Sequence, residues 1–289
     1  MKILITGKGG QLAWELTQSA HVKHQLVVLN SQELDISNAN LVQQIIAKHK
    51  PDIVINAAAY TAVDKAETDK KRAYAVNECG AKHLALGCKA NNSRLLHVST
   101  DFIFDGNQTI PYQTNDQPNP INVYGASKLA GEQAIEQILP DTVIVRTAWL
   151  YSSHGNNFVK TMLKLMAEKP VLGIVYDQVG TPTWAAGLAQ WLWRIVEKPQ
   201  VLGVYHWTDA GVASWYDFAV AIQDLGIEKG LLKQCIPITA IPASQYPTPA
   251  ERPRFSVIDK TSAELAANLK TIHWRKQLSN MMDELSSND

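Results

Sequence analysis

Lys2-Ile3-Leu4-Ile5-Thr6-Gly7-Lys8-Gly9-Gly10-Gln11-Leu12-Ala13 opens the chain, and its reading decides the fold. A short apolar run breaks into glycines, and a helical pattern follows at once. That order is a strand, a tight turn and a helix. Gly7, Gly10 and Ala13 are spaced three apart, as in a G-x-x-G-x-x-G turn. The first position turns the backbone tightly, and the second lets it close on a pyrophosphate. The third packs the helix on the strand, where Ala is tolerated. The free amides of the helix that begins at Gln11 and runs to about Ala20 face the same anion.

Outward from this unit the first half keeps alternating. Residues 25–29 read as a second strand, 40–48 as a helix and 51–56 as a third strand. A long helix is expected over 70–90, strand four over 94–99, a helix over 125–137 and strand five over 142–146. Short β-branched runs between helices predict an α/β protein with a Rossmann-like, doubly wound parallel sheet. Ligands should lie beyond the carboxyl ends of the strands. After about residue 150 prolines and aromatics become frequent. Residues 1–150 are therefore read as the nucleotide-binding domain, and 151–289 as mainly a smaller C-terminal lobe, some of whose segments return to the main sheet.

Chemistry concentrates at Val123-Tyr124-Gly125-Ala126-Ser127-Lys128. Residues four apart on a helix share a face. An ammonium beside a phenol favours phenolate, so Lys128 is expected to lower the Tyr124 pKa from about 10. Such a phenol exchanges a proton with a reacting oxygen. Upstream, Leu96-His97-Val98-Ser99-Thr100 is an apolar run ending in hydroxyls. A nucleotide turn, a Ser/Thr strand end and Tyr-x-x-x-Lys, in that order, point to hydride transfer between a nicotinamide cofactor and a carbonyl or alcohol. At the end of strand two, Leu29-Asn30-Ser31 offers neither an acid for a ribose hydroxyl nor an Arg. Lys8 could meet a 2′-phosphate, so use of both NADPH and NADH is expected, with NADPH preferred. Asp35-Ile36 could face the adenine, with Asp35 as a helix N-cap the competing role.

The bulk composition narrows the class. With 289 residues, 46% hydrophobic and 19% charged, the chain has the makings of a sizeable core. A formal net charge of zero gives no pull towards nucleic acid or an anionic membrane. No apolar stretch nears the roughly 20 residues of a membrane span. A strand follows Met1 directly, which is not a signal-peptide pattern. Cys79, Cys88 and Cys235 lack metal-ligand spacing, so reduced thiols in a cytoplasmic protein are expected.

The segments above, with Pro51-Asp52-Ile53-Val54-Ile55-Asn56-Ala57-Ala58-Ala59, Thr61-Ala62-Val63-Asp64-Lys65-Ala66-Glu67, Ser99-Thr100-Asp101, Arg146-Thr147-Ala148-Trp149, Gly155-Asn156-Asn157-Phe158, Trp215-Tyr216-Asp217 and Tyr246-Pro247-Thr248-Pro249-Ala250, resemble the extended short-chain dehydrogenase/reductase superfamily. The likeness runs along nearly the whole chain. Within the superfamily it is to reductases of a 4-keto sugar carried on dTDP. The resemblance implies a catalytic trio. Tyr124 would give the proton, Lys128 would bind the nicotinamide ribose, and Thr100 would polarise the carbonyl. Gly7, Lys8, Gly10, Gln11 and Leu12 of the turn, with Asp35 and Ile36 as the strand-two candidates above, are read as cofactor residues, and the resemblance adds Ala57, Ala58, Tyr60 and Asn77. Trp149, Asn156, Asn157, Gln178, Thr183 and a diphosphate-binding Arg252 would serve a dTDP-sugar. Phe102 stands where the family often has Tyr, so one hydroxyl near the substrate is lost. Some members are metal-bridged dimers. Glu15 and Glu284 match two of the bridging glutamates, but Ala186 stands at the third, so Mg²⁺ is not expected and the chain is read as a monomer or homodimer. Two other readings remain. One is a sugar-nucleotide dehydratase or epimerase, although Thr100-Asp101-Phe102 lacks the dehydratases' second acid. The other is a non-catalytic protein like the regulatory subunit of methionine adenosyltransferase.

Overall fold

The computed structural model describes residues 1–287. Strand β1 (Lys2–Thr6) and helix α1 (Gln11–Gln18) form where the opening stretch places them. Next come β2 (Gln25–Leu29), α2 (Ala39–His49) and β3 (Ile53–Asn56). β1 pairs in parallel with both β2 and β3, with Ile3 opposite Leu26 on one side and Ile53 on the other. Strand β4 (Arg94–Thr100) joins β3, and β5 (Val143–Thr147) joins β4. A sixth strand, Gly203–His206, pairs in parallel with β5. Across the sheet the order is Gly203–His206, β5, β4, β3, β1, β2. The chain reverses its winding between β1 and β3, and a doubly wound sheet opens a ligand crevice at that point.

Alternation along each strand buries both faces. Ile3, Ile5, Ile53, Ile55, Val143 and Val145 pack with Leu12 and Leu16 of α1 and with Leu188, Trp191 and Leu192. Leu4, Val54, Leu95 and Ile144 pack against the opposite layer, with Val42 and Ile46 of α2. A separate cluster, including Val159, Met162, Phe218, Ile222, Trp274 and Met281, forms beyond residue 150. Among the described residues no helix is long and apolar enough to cross a membrane.

The expected long helix over 70–90 is interrupted. A short α3 (Val63–Ala66) precedes α4 (Lys70–Tyr74), a π-turn over Ala75–Cys79 and α5 (Gly80–Asn91). A π-turn inserts one residue into the helical ladder and often marks a functional position. Here it carries Asn77. The helix bearing the Tyr-Lys pair, α6 (Val123–Ile138), starts where the Asn122 side chain accepts the Gly125 N–H at 2.8 Å. Helix α7 (Phe158–Glu168) is capped in the same way by Asn157.

Candidate active site

The strand ends converge on one cleft of about 680 Å³, within the usual range for a small-molecule site. The turn after β1 supplies its floor. Gly7 has φ +81° and Gly9 φ +91°, where residues with a Cβ are strained. A Cβ on Gly7 would also lie 2.8 Å from the Ala57 carbonyl oxygen. Gly9 was not singled out from sequence, where Gly7, Gly10 and Ala13 fill the three turn positions; its φ marks it. A Cβ there would meet nothing within 4 Å, so the turn is open on that side. The N-cap of α1, Gly10, makes no side-chain capping bond. The first amides of α1 therefore face the cleft uncapped, and this cradle fits a dinucleotide pyrophosphate.

The cleft gathers most of the sequence-derived residues: Gly7, Lys8, Gly10, Gln11 and Leu12 from the turn, Asp35 and Ile36 after β2, and Ala57, Ala58 and Tyr60 after β3. Thr100, Phe102, Tyr124, Lys128, Trp149 and Asn156 line it further along. Asp35 does not cap α2. Its Oδ1 accepts the Ser37 N–H and hydroxyl, the hydroxyl at 2.6 Å, and that bond lowers its pKa. Asn38 is the cap, accepting the Leu41 N–H. Lys8 pairs loosely with Glu33 at 3.8 Å, both well exposed; such a pair holds little energy and leaves Lys8 free to turn. Arg72 also lines the cleft and was missed from sequence, where it sits unmarked in a charged run on a helix.

Five expected ligand residues are engaged elsewhere or stand off the cleft. Asn77 is buried, and its amide is fully used. It accepts the Tyr60 N–H at 2.8 Å and donates to the Tyr60 carbonyl and to Ser127 Oγ. It thus shapes the wall without reaching the cleft. Asn157 accepts the Lys160 N–H at 3.1 Å and donates to Gln11 Oε1 and the Ser152 carbonyl. Asn157→Ala should cost about 1 kcal/mol in urea unfolding, the usual loss of an N-cap; an unchanged unfolding midpoint would free Asn157 for a ligand role. Thr183 is wholly buried and donates to the Thr181 carbonyl. Gln178 does not line the cleft. Arg252 grips Asp64 with two parallel bonds of 3.0 and 2.8 Å and also donates to Thr248 and Ala250. Its donors are thereby taken up by Asp64 of α3 and by its own loop. Of the two glutamates matched to bridging positions, Glu15 is buried. It accepts the Ser152 hydroxyl and the Trp184 indole N–H, and its carboxyl is raised by burial and by the charge of Glu284.

The Tyr-Lys geometry corrects the expected electrostatics. Tyr124 is half-buried at the cleft wall, edge-on to Phe102 with ring centroids 5.6 Å apart. Burial pushes its phenol up to about 12; the Thr100 hydroxyl pulls the other way and the Asp101 carboxylate pushes with it. Lys128 does not lower it, because its Nζ turns to the Val98 carbonyl at 2.6 Å and lies 3.3 Å from His97 Nε2. A phenol with this pKa stays protonated throughout the neutral range, which suits a proton donor. Thr100 Oγ1 accepts the Phe102 N–H and donates to Asp101 Oδ1 at 3.0 Å. Asp101, also a cleft residue, is itself raised to about 6 by burial. Trp149 takes φ +46° and stacks on Trp215 at 3.5 Å, with planes 5° apart. Trp149 lines the cleft with Trp215 stacked against it, which fixes the indole as an aromatic wall.

The family model described as RmlD substrate binding domain matches residues 1–287. The chain is 41% identical to a dTDP-4-dehydrorhamnose reductase from Aggregatibacter actinomycetemcomitans, over 97% of this chain and 98% of that protein. It is 37% identical to one from Salmonella typhimurium, over 99% and 98%. Its fold superimposes with a TM-score of 0.93 on the dTDP-4-dehydrorhamnose reductase of Bacillus anthracis str. Ames solved in complex with NADP, at 33% identity and covering 98% and 99% of the two chains.

Proposed function

Because this chain belongs to the family described as the RmlD substrate binding domain, we propose that it is an NAD(P)H-dependent reductase. It reduces the C4 keto group of dTDP-4-dehydro-β-L-rhamnose to give dTDP-L-rhamnose, the last step of dTDP-rhamnose biosynthesis. One observation carries this reading. Thr100, Tyr124 and Lys128 line the same cleft as the uncapped glycine turn, so a proton donor and a dinucleotide cradle share one space.

The residues divide the work. Gly7 to Leu12 would hold the pyrophosphate through backbone amides. Ala57, Ala58 and Tyr60 would border the cofactor along the crevice, and Lys128 would hold its ribose. When bound, NAD(P)H supplies the hydride. Thr100 would turn its hydroxyl proton from Asp101 to the carbonyl oxygen, orienting and polarising it. Tyr124 would then protonate that oxygen as charge develops on it. Phe102 keeps the Tyr124 ring in place by its edge contact but offers no hydroxyl of its own. Trp149 would face the apolar side of the deoxysugar, and residues after 150 would form most of the sugar-nucleotide site.

The test is oxidation of reduced nicotinamide with the keto sugar generated in situ, followed by NMR of the product. Rhamnose as product supports the reading. No oxidation, with cofactor shown to bind, sinks it. Both cofactors should serve, NADPH the better. Strand β2 ends without an acid to favour the ribose hydroxyl, while Lys8 and Arg72 line the cleft and suit a 2′-phosphate. An advantage of NADH in kcat/KM beyond about a hundredfold, roughly 2.7 kcal/mol, would overturn that preference.

A further inference from the structure

A buried chain of polar groups crosses the sheet beneath the cleft. Thr6 Oγ1 donates to Asn56 Oδ1 at 2.6 Å. Asn56 Nδ2 lies 2.9 Å from His97 Nδ1, and His97 Nε2 lies 3.3 Å from Lys128 Nζ. Lys128 Nζ also donates to the Val98 carbonyl. None of the four side chains is more than 2% exposed, so water does not complete their bonds and the network must satisfy itself.

The directions of these bonds follow from what each atom can do. The Ala58 N–H can only donate, and it lies 3.2 Å from both Thr6 Oγ1 and Asn56 Oδ1. Together with the short Thr6 contact, typical of O–H···O, this orients the amide. Its oxygen faces Thr6 and its NH₂ faces His97. His97 Nδ1 must therefore accept, and the neutral ring carries its proton on Nε2. That N–H points at Lys128 Nζ. An ammonium has three donors and no lone pair, so it would oppose the Nε2 proton. Only the neutral amine can accept from His97 and donate to Val98 at once.

We propose that Asn56 and His97 are positioning residues that hold the imidazole as its Nε2–H tautomer and thereby bias Lys128 towards the neutral amine, setting the proton affinity of the residue beside Tyr124. The other groups around Lys128 agree with this. Burial lowers Lys128 to about 8, while Glu132 on the same helix opposes the shift. Glu132 is already held by Arg146, at 2.8 Å. His97 is pushed well below its ordinary value by burial and by Lys128. Asp101 follows β4, and Tyr124 precedes Lys128 by one turn. The catalytic consequence rests on the reductase reading; the tautomer and the titration do not.

Both are measured on the whole chain without substrate. Long-range proton–nitrogen correlation spectra of protein carrying nitrogen-15 histidine should show His97 with a protonated Nε2 and a bare Nδ1, its signals assigned by their loss in His97→Gln. In protein carrying carbon-13 lysine, Lys128 should titrate at least one pH unit higher in His97→Gln than in the wild type, roughly tenfold in proton affinity, because a Gln oxygen can accept from the ammonium. Lys128→Arg assigns that resonance. A protonated Nδ1 in the wild type, or an unchanged Lys128 midpoint in a folded His97→Gln protein, would overturn the proposal. Correlations from the assigned backbone to the imidazole ring identify the His97 signals in the wild type as well, so the tautomer is read even where the variant does not fold.

Discussion

Tyr124→Phe should lose about 10²–10⁴ in kcat, the usual contribution of a positioned general acid. That loss corresponds to roughly 2.7–5.5 kcal/mol of transition-state stabilisation. The substitution removes one oxygen. The ring keeps its edge contact with Phe102, and the phenol is half-buried at the cleft wall rather than in the core. Stability and cofactor affinity should change little, because the glycine turn and Lys128 are untouched. The pH dependence has a definite sign. Tyr124 is held near 12, so its acid form is present across neutral pH and its own ionisation removes activity only on the alkaline side. Steady-state kinetics with cofactor titrated separately checks both halves. Near-normal turnover in the variant would mean that another group gives the proton.

Gly125→Ala should cost about 3 kcal/mol or more in stability, at the upper end for an added methyl in a packed site. The usual reason for replacing Gly in a helix, its poor propensity, works in the opposite direction by about 1 kcal/mol and is overwhelmed. A Cβ on Gly125 would lie 2.0 Å from the Phe102 carbonyl oxygen and 3.1 Å from Pro120 Cβ. A backbone oxygen cannot swing aside as a side chain can. The start of α6 must therefore retreat from the turn at Asp101–Ile103, drawing Tyr124 away from Thr100. Activity should fall together with stability, since about 1 Å of misplacement at a reacting group is expensive. Urea unfolding and kcat/KM measured on the same preparation test it; a variant with the wild-type midpoint would show that the two segments can separate freely.

Local patterns were the legible part. The opening strand, turn and helix, and the four-residue spacing of Tyr124 and Lys128, are set by neighbours in sequence, and the structure places them where the pattern puts them. The same holds for the first five strands, whose apolar runs are short and bounded. Asparagines were the least legible. Asn77, Asn157 and Asn38 carry the same side chain, yet one clamps a loop, one caps a helix next to the cleft and one caps a helix far from it. An amide can serve any of these roles, and its sequence neighbours do not say which partner reaches it.

Glycine spacing and helical periodicity are properties of adjacent residues, and they were enough for the doubly wound sheet with its glycine turn and for a Tyr and a Lys one turn apart on a helix. Long-range packing was needed to make Gly203–His206 the last strand of the sheet, to bring Arg72 to the cleft while Arg252 closes on Asp64, and to set Lys128 against His97. Each of those outcomes depends on groups brought together from distant parts of the chain, where burial removes water as the alternative partner and leaves the fold to choose the bond.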